Sequence, residues 1–272
     1  MFDITKLPFY GELPVGVCSF SALEDELFSC RAKSRIPENS QSVIVYLFPY
    51  YLGDDYYKNS NLSKYAVPED YHRICGEYLE KAAILLREEF SGFSFQSFCD
   101  NSPINEVKAA ALAGLGVRGE NSLLINDEYG SFCFIGEIVT DMKTDVKNCE
   151  LRYCLKCGLC KRECVNNAIS EAGIIEEKCL SSITQKKGEL KEDEKALILN
   201  SGCIWGCDAC QNICPMNKNV KCSPVKEFYE NVKPRYEGKA DYSEDRAFSW
   251  RKNEVIERNL EILCCKKDKN QL

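Results

Sequence analysis

Two cysteine runs constrain this 272-residue chain more than any other feature. The first places Cys154, Cys157, Cys160 and Cys164 as C-x2-C-x2-C-x3-C; the second places Cys207, Cys210 and Cys214 as C-x2-C-x3-C, with Pro215 directly after. Three thiolates at three-residue steps on one short loop suit three corners of an iron–sulfur cubane, and the fourth cysteine of such a run points towards a second cluster. The second run is one ligand short. Cys179, in KCLSSIT between the runs, closes the count at four thiolates for each of two [4Fe–4S] clusters. Structural zinc also takes four cysteines, but gathers them as separated C-x2-C knuckles, which the triple step does not resemble. A disulfide framework fits less well still. A chain of this length can build ordinary hydrophobic cores, and MFDITKLPFY has neither the charged start nor the apolar run of a secretory signal. The expectation is a reduced, cytoplasmic protein that carries electrons.

Composition narrows the partners. With 44% hydrophobic and 28% charged residues the chain reads as globular, and no stretch is apolar and long enough to span a bilayer, so no membrane partner is expected. A formal charge of −7 argues against a surface built to coat nucleic acid, which needs clustered Lys and Arg. Residues 216–272 carry 13 Lys or Arg against 10 Asp or Glu. That mildly basic stretch permits contact with a polyanion without demanding it.

The pattern along the chain predicts an α+β fold in three regions: an α/β domain over 1–143, a cysteine-rich domain over 144–217, and a polar tail with one amphipathic helix over 218–272. Ser42 to Pro49 is a β-branched and aromatic run closed by proline, a buried strand. From Pro68, the residues Tyr71, Ile74, Tyr78, Leu79, Ala82, Leu85 and Leu86 fall at helical spacing, with Pro68, Glu69 and Asp70 as helix-opening chemistry. FSFQSFC is a second strand ending at Cys99, and DNSP is a turn leading into a helix over 104–115. SLLINDEYGSFCFIGEIVTD reads as a buried hairpin about an Asn-Asp-Glu-Tyr-Gly turn, with Gly130 free to take a positive φ. KKGELKEDEK is a solvated loop. Gly114, Gly116 and Gly119 form a G-x-G-x-x-G run, but it follows a helix rather than a strand, so a dinucleotide site is rejected.

The order AALAGLGVRGENSLLINDEYGSFCFIGEIVTD, CLKCGLCKRECVNNAI, KCLSSIT and GCDACQNICPMN resembles the epoxyqueuosine reductases, cobalamin-dependent iron–sulfur enzymes of queuosine synthesis. The resemblance spans 42–217, and SKYAVPEDYH extends it with Pro68 where the family has glycine. It implies an N-terminal α/β cobalamin-binding-type domain followed by a bacterial-ferredoxin-like domain. Its cluster wiring assigns Cys154, Cys157, Cys160 and Cys214 to one [4Fe–4S] cluster and Cys164, Cys179, Cys207 and Cys210 to the other. It makes Asp100, in DNSPINE, the acid that protonates the leaving oxygen of an epoxide, a role that calls for a raised carboxyl pKa. From the residues alone, a helix cap is the favoured role for Asp100. Tyr65, Asp70, His72, Leu124 and Ile135 become corrinoid contacts by the same resemblance. His72 is the chain's sole histidine, and it reads otherwise as an ordinary helix-face residue.

The resemblance further implies tRNA and an external electron donor such as ferredoxin or flavodoxin as partners. Departures bear on the substrate. Val117, Arg118 and Glu120 stand where the family has W-I-G-K, and Val165 replaces a proline after the first run. Longer members continue into helical repeats that help hold tRNA, and VIERNLEIL resembles only the opening of such an array, so a short form is expected. Two other readings stay open: the same architecture reducing another small electrophile, as reductive dehalogenases do, or an electron carrier or corrinoid-reducing protein with no substrate of its own. The ten remaining cysteines read as inert packing thiols.

Overall fold

The computed structural model describes residues 3–239 and 244–269. Its front half is a four-stranded antiparallel sheet in the order β1-β2-β6-β3, from β1 (Val15–Ser19), β2 (Ser42–Pro49), β3 (Phe95–Cys99) and β6 (Cys133–Thr140). β2 is buried at every position, which is why its sequence is apolar without alternation: it is an inner strand covered on both faces. Ile44, Tyr46 and Phe48 face a core closed by α1 (Tyr71–Glu89) through Ile74, Leu79, Ala83 and Leu86. Val43, Val45 and Leu47 face a second core closed by α2 (Glu106–Leu112) through Ala109 to Leu112. The small alanine side chains let α2 lie close to the sheet.

The caps settle where these helices begin. Asp70 accepts from the His72 backbone N–H at 3.1 Å, so α1 opens there and Pro68 precedes it. Asn105 caps α2 by accepting from Lys108 N at 3.1 Å. Asp100 therefore does not cap the helix. It sits in the turn after β3 at φ +54°, a left-handed conformation that costs a non-glycine residue about 1–3 kcal/mol.

The Asn126 to Gly130 turn forms as expected, with Gly130 at φ +60°, but its flanks do not pair with each other. β5 (Leu124–Ile125) pairs with β4 (Val117–Arg118), while β6 leaves to join the main sheet. Gly116 lies so close to Ile125 that an added Cβ would meet its carbonyl oxygen at 2.5 Å, and Gly114 takes φ +80° at the end of α2. Local packing therefore explains these glycines.

The cysteine-rich half is built from short pieces: α3 (Leu159–Glu163), β7 (Ile169–Ser170), β8 (Gly173–Ile174), α4 (Leu180–Thr184), α5 (Glu192–Ser201) and α6 (Ala209–Asn212). Beyond it the chain returns to the front half, placing Val225 and Phe228 in the α1-side core. Tyr236, Phe248, Val255 and Ile256 then pack with Leu62 and Trp205 between the halves. α7 (Asn253–Lys269) lies along α4 and α5.

Candidate redox site

The loop carrying Cys207 and Cys210 is fastened to the front half by backbone and side-chain hydrogen bonds. Ile204 N donates to Asn61 O at 2.8 Å, Ser63 N donates to Trp205 O at 2.9 Å, and Lys64 N donates to Asp208 Oδ2 at 2.7 Å. Behind it, Gln211 Oε1 accepts from Ser131 Oγ at 2.9 Å and from Tyr50 at 3.3 Å. Asn121 Nδ2 reaches Cys210 Sγ at 3.6 Å. The second cysteine run is thus held by the α/β domain rather than hanging from it.

The thiols sort into two groups by mutual electrostatic influence. Cys160 is raised by burial first and Glu120 next, then by Cys154 and Cys214; Cys214 is raised by burial and then by Cys157 and Cys154. These four thiols line one cavity together with Pro215 and Met216. Burial pushes Cys207 up to about 11, aided by Asp208 and then by Cys179 and Cys164. It pushes Cys210 up to about 12, with Cys207, Cys179 and, across the divide, Cys160 adding to it. Among the described residues no three His, Cys, Asp or Glu gather tightly enough to hold a single ion; a cubane asks for a wider spread, one thiolate per corner. Thiols crowded this way resist ionisation until a multivalent cation compensates them, as ligation does. Cys157 is exposed, whereas Cys207 and Cys210 are largely shielded.

A second constellation lies at the open end of the α1 face. His72 Nε2 meets Asp100 Oδ2 at 3.0 Å and Nδ1 meets Asp70 Oδ1 at 2.6 Å. Burial pulls the imidazolium down, but the hydrogen bonds to Asp100 and Asp70 outweigh it and raise His72 to about 10. The same hydrogen bond is the largest influence on Asp100 and holds its carboxyl below the usual range, overcoming partial burial. The apolar strand before Asp100 does not raise its pKa as expected, because a cation stands beside it. In this resting arrangement the proton sits on His72.

The His72 ring stacks on Tyr71 with centroids 4.0 Å apart, and Tyr71 lies nearly parallel to Phe134 at 3.9 Å. Tyr65 meets Tyr71 and Phe134 edge-on at 6.4 Å each. Gly206, at φ +79°, packs against Ser63 and Tyr65, so this aromatic column abuts the Cys207 loop. The fold therefore gathers Tyr65, Asp70, His72 and Asp100. It leaves Leu124 and Ile135 on the opposite face of the sheet, packed in the α2-side core. Glu120 forms an ion pair with Lys161 at 2.8 Å, tying β4 to α3. Sequence reasoning missed Phe134, the fully buried Glu137 and the half-buried Glu106. The signal was a glutamate standing alone in the apolar strand CFIGEIVT.

The fold and site define an α+β iron–sulfur protein in which a double-cluster module is clamped to an antiparallel-sheet domain. Residues 153–217 match the 4Fe-4S double cluster binding domain, and residues 31–101 match the family described as epoxyqueuosine reductase QueG, DUF1730. An epoxyqueuosine reductase of Leadbetterella byssophila is 31% identical over 236 residues, 84% of this chain and 76% of that protein. Another, from Aliivibrio fischeri, is 35% identical over 170 residues, 62% of this chain and 45% of that protein. A crystal structure of epoxyqueuosine reductase with an epoxyqueuosine-modified tRNA-Tyr stem loop superposes with a TM-score of 0.76 at 21% identity, covering 92% of this chain and 76% of that one. The chain belongs to the epoxyqueuosine reductase family. It spans about half the length of the first curated relatives it matches.

Proposed function

We propose that this chain is a corrinoid-dependent iron–sulfur reductase that removes the epoxide oxygen of epoxyqueuosine in tRNA. The observation that carries the reading is the continuity of the redox path with the proton site: the Cys207 loop abuts the same aromatic column that ends in the His72–Asp100 pair. In this reading Cys154, Cys157, Cys160 and Cys214 hold an outer cluster and Cys164, Cys179, Cys207 and Cys210 hold an inner one. The exposed Cys157 marks where an electron donor such as ferredoxin or flavodoxin would deliver charge. Eight reduced thiols and a tRNA substrate fit a cytoplasmic protein.

The seam between the halves suits a corrinoid. Tyr65, Tyr71 and Phe134 provide an aromatic wall, and the buried Ser63 hydroxyl lacks a protein partner that corrin-edge amides could supply. Bound there, a corrinoid supplies the nucleophilic cobalt chemistry for cleaving a carbon–oxygen bond. Converting the epoxide to an alkene takes up two electrons and two protons and releases water. The chain's own part is the proton: His72 carries it at Nε2, Asp100 shares it, and Asp70 fixes the ring through Nδ1.

The test is anaerobic reconstitution, cobalamin titration followed in the cobalt absorption region, and turnover of epoxyqueuosine-containing tRNA. We expect saturable cobalamin binding and product formation. Asp100→Asn should retain clusters and cobalamin yet lose about 10²–10⁴ in turnover, the range for a positioned acid. Wild-type protein that fails to bind cobalamin would overturn the reading. Full activity in Asp100→Asn would remove the assigned role of the pair.

A further inference from the structure

Asn121 stands between the two groups of thiols. It lines the cavity formed by Cys154, Cys157, Cys160 and Cys214, yet its side-chain amide reaches the other group, with Nδ2 donating to Cys210 Sγ at 3.6 Å. Among the described residues it is the one side-chain N–H that meets a cysteine sulfur. The residue is 3% exposed, and an amide buried so completely is costly unless its polar atoms find partners. Here the partner is a sulfur.

The backbone aims this amide. Asn121 sits in the 119–123 connection between β4 and β5, closed by Gly119 N donating to Leu123 O at 2.8 Å and Ser122 N to Gly119 O at 3.0 Å, with Ser122 at φ +62°. A Cβ on Gly119 would meet Asn121 Oδ1 at 2.3 Å, so the glycine leaves room for the amide. Oδ1 accepts from Leu123 N at 3.4 Å, which turns Nδ2 towards the sulfur. The hairpin is fastened on the cluster side as well. Arg118 N donates to Arg152 O and Cys154 N to Arg118 O, each at 3.0 Å, and Glu120 pairs with Lys161 on α3, the helix that carries Cys160. α3 packs against α6, which carries Cys210. A side chain of the sheet domain is thus inserted where the two cysteine runs meet. A hydrogen bond to a ligating sulfur draws electron density from it and favours the more negative, reduced state of a cluster, which raises its potential. The effect is stronger in a buried site than in water.

We propose that Asn121 is a positioning residue that holds an N–H on Cys210 and so raises the reduction potential of the inner cluster above that of the outer one, giving electron flow its direction towards the sheet domain. The inference rests on the cluster assignment of the reductase reading above. The step moves one electron and breaks no bond: the outer cluster, reduced beforehand by a low-potential one-electron donor, is oxidised by one unit, the inner cluster is reduced by one unit, and the amide proton stays on Nδ2.

The experiment is an anaerobic redox titration of the reconstituted protein followed by EPR, comparing wild type with Asn121→Leu, which keeps the branched shape and removes the N–H. Wild type should show two potentials. In the variant the higher should fall, by about tenfold in the equilibrium constant for transfer between the clusters, or about 59 mV for one electron, while the lower stays in place and iron content is unchanged. Pulsed EPR of wild type carrying nitrogen-15 in its asparagine side-chain amides should show a weak nitrogen coupling to one cluster, lost in Asn121→Leu. That wild-type coupling keeps the test available if the variant loads iron poorly. A wild type whose clusters share one potential, a variant in which neither potential moves or both fall equally, or a wild type without the coupling overturns the inference. Turnover of epoxyqueuosine-containing tRNA separates it from the reading beneath it. Turnover in wild type with no shift in Asn121→Leu fails the inference alone, and the selective shift in a protein without turnover upholds it and fails the reductase reading alone.

Discussion

The two halves of this molecule hold themselves together by different means. In the front half, a sheet is sandwiched between α1 and α2, with a continuous apolar core on each face. In the cysteine-rich half, the core among the described residues is Leu180, Ile183, Leu190 and Ile198, flanked by helices of one to three turns. Burial of apolar surface, at about 25 cal/mol per Å², can support the first. The second has too little of it, and cluster ligation must do what packing does elsewhere. The contrast separates the halves: the packed sheet half carries Asp100 and His72, while the half that matches a 4Fe-4S double cluster binding domain depends on metal for its order.

The largest expected effect follows from that contrast. Chelating iron under reducing conditions, or substituting Cys214→Ala, should abolish amide protection across 153–217 while the strands of the main sheet stay protected. Hydrogen exchange read by mass spectrometry separates the halves directly. Simultaneous loss of protection in β2 and β6 would show that the halves fold as one unit. In the opposite direction, Leu79→Ala removes a fully buried side chain that packs on Gly136 and Phe48. A cost of about 2–5 kcal/mol is expected, seen as a lower denaturation midpoint of the sheet half with iron content unchanged.

How much of this could be read from the chain depended on how local each determinant was. The cysteine spacing is set within a loop, so the cluster half announced itself. β2 was legible because burial on both faces leaves an unbroken apolar run, and α1 because its apolar residues recur every three to four positions. The partner of β5 was not legible, since the 126–130 turn fixes only its own conformation and the strand after it was free to join the larger sheet. The stretch after Asn217 reads as polar because Val225 and Phe228 reach the core from a 3-10 turn without periodicity. Asp100's charge was hidden for another reason. It depends on His72, 28 residues away in sequence, and no local pattern carries that contact.

The joint between the halves gives an intermediate effect. Gly206 is at φ +79°, and a Cβ there would collide with the side chains of Ser63 and Tyr65. Gly206→Ala should cost about 1–3 kcal/mol through overpacking, added to about 1–2 kcal/mol for the left-handed backbone. If the halves are separable, the strain should push the Cys207 loop off the front half. Exchange would then rise at Ser63 and Ile204, whose N–H groups bond across the joint, and the sheet strands would be unaffected. Equal loss throughout the molecule would contradict the separation.

The smallest expected effect tests the proton site, and the sequence makes it clean because His72 is the sole histidine. Its folded pKa of about 10 lies above the ordinary 6.5, so the stabilisation it brings is complete below about pH 6.5 and is lost as pH rises through about 10. Asp100 behaves oppositely. Its carboxyl is held below 3.8, so its contribution is present above that value and is lost as pH falls through the lowered one. The charged pair therefore persists from mild acid to about pH 10 and stabilises the fold only modestly, since the two side chains are 35% and 55% exposed. In an NMR titration the single imidazole should change shift near pH 10, and Asp100→Asn should move that transition towards 6.5, leaving Asp70 as the remaining carboxylate partner. An imidazole titrating near 6.5 in the wild type would mean that the pair is open in solution. The proton for the epoxide oxygen would then have to come from Asp100 alone, with no cation beside it to hold its carboxyl ionised.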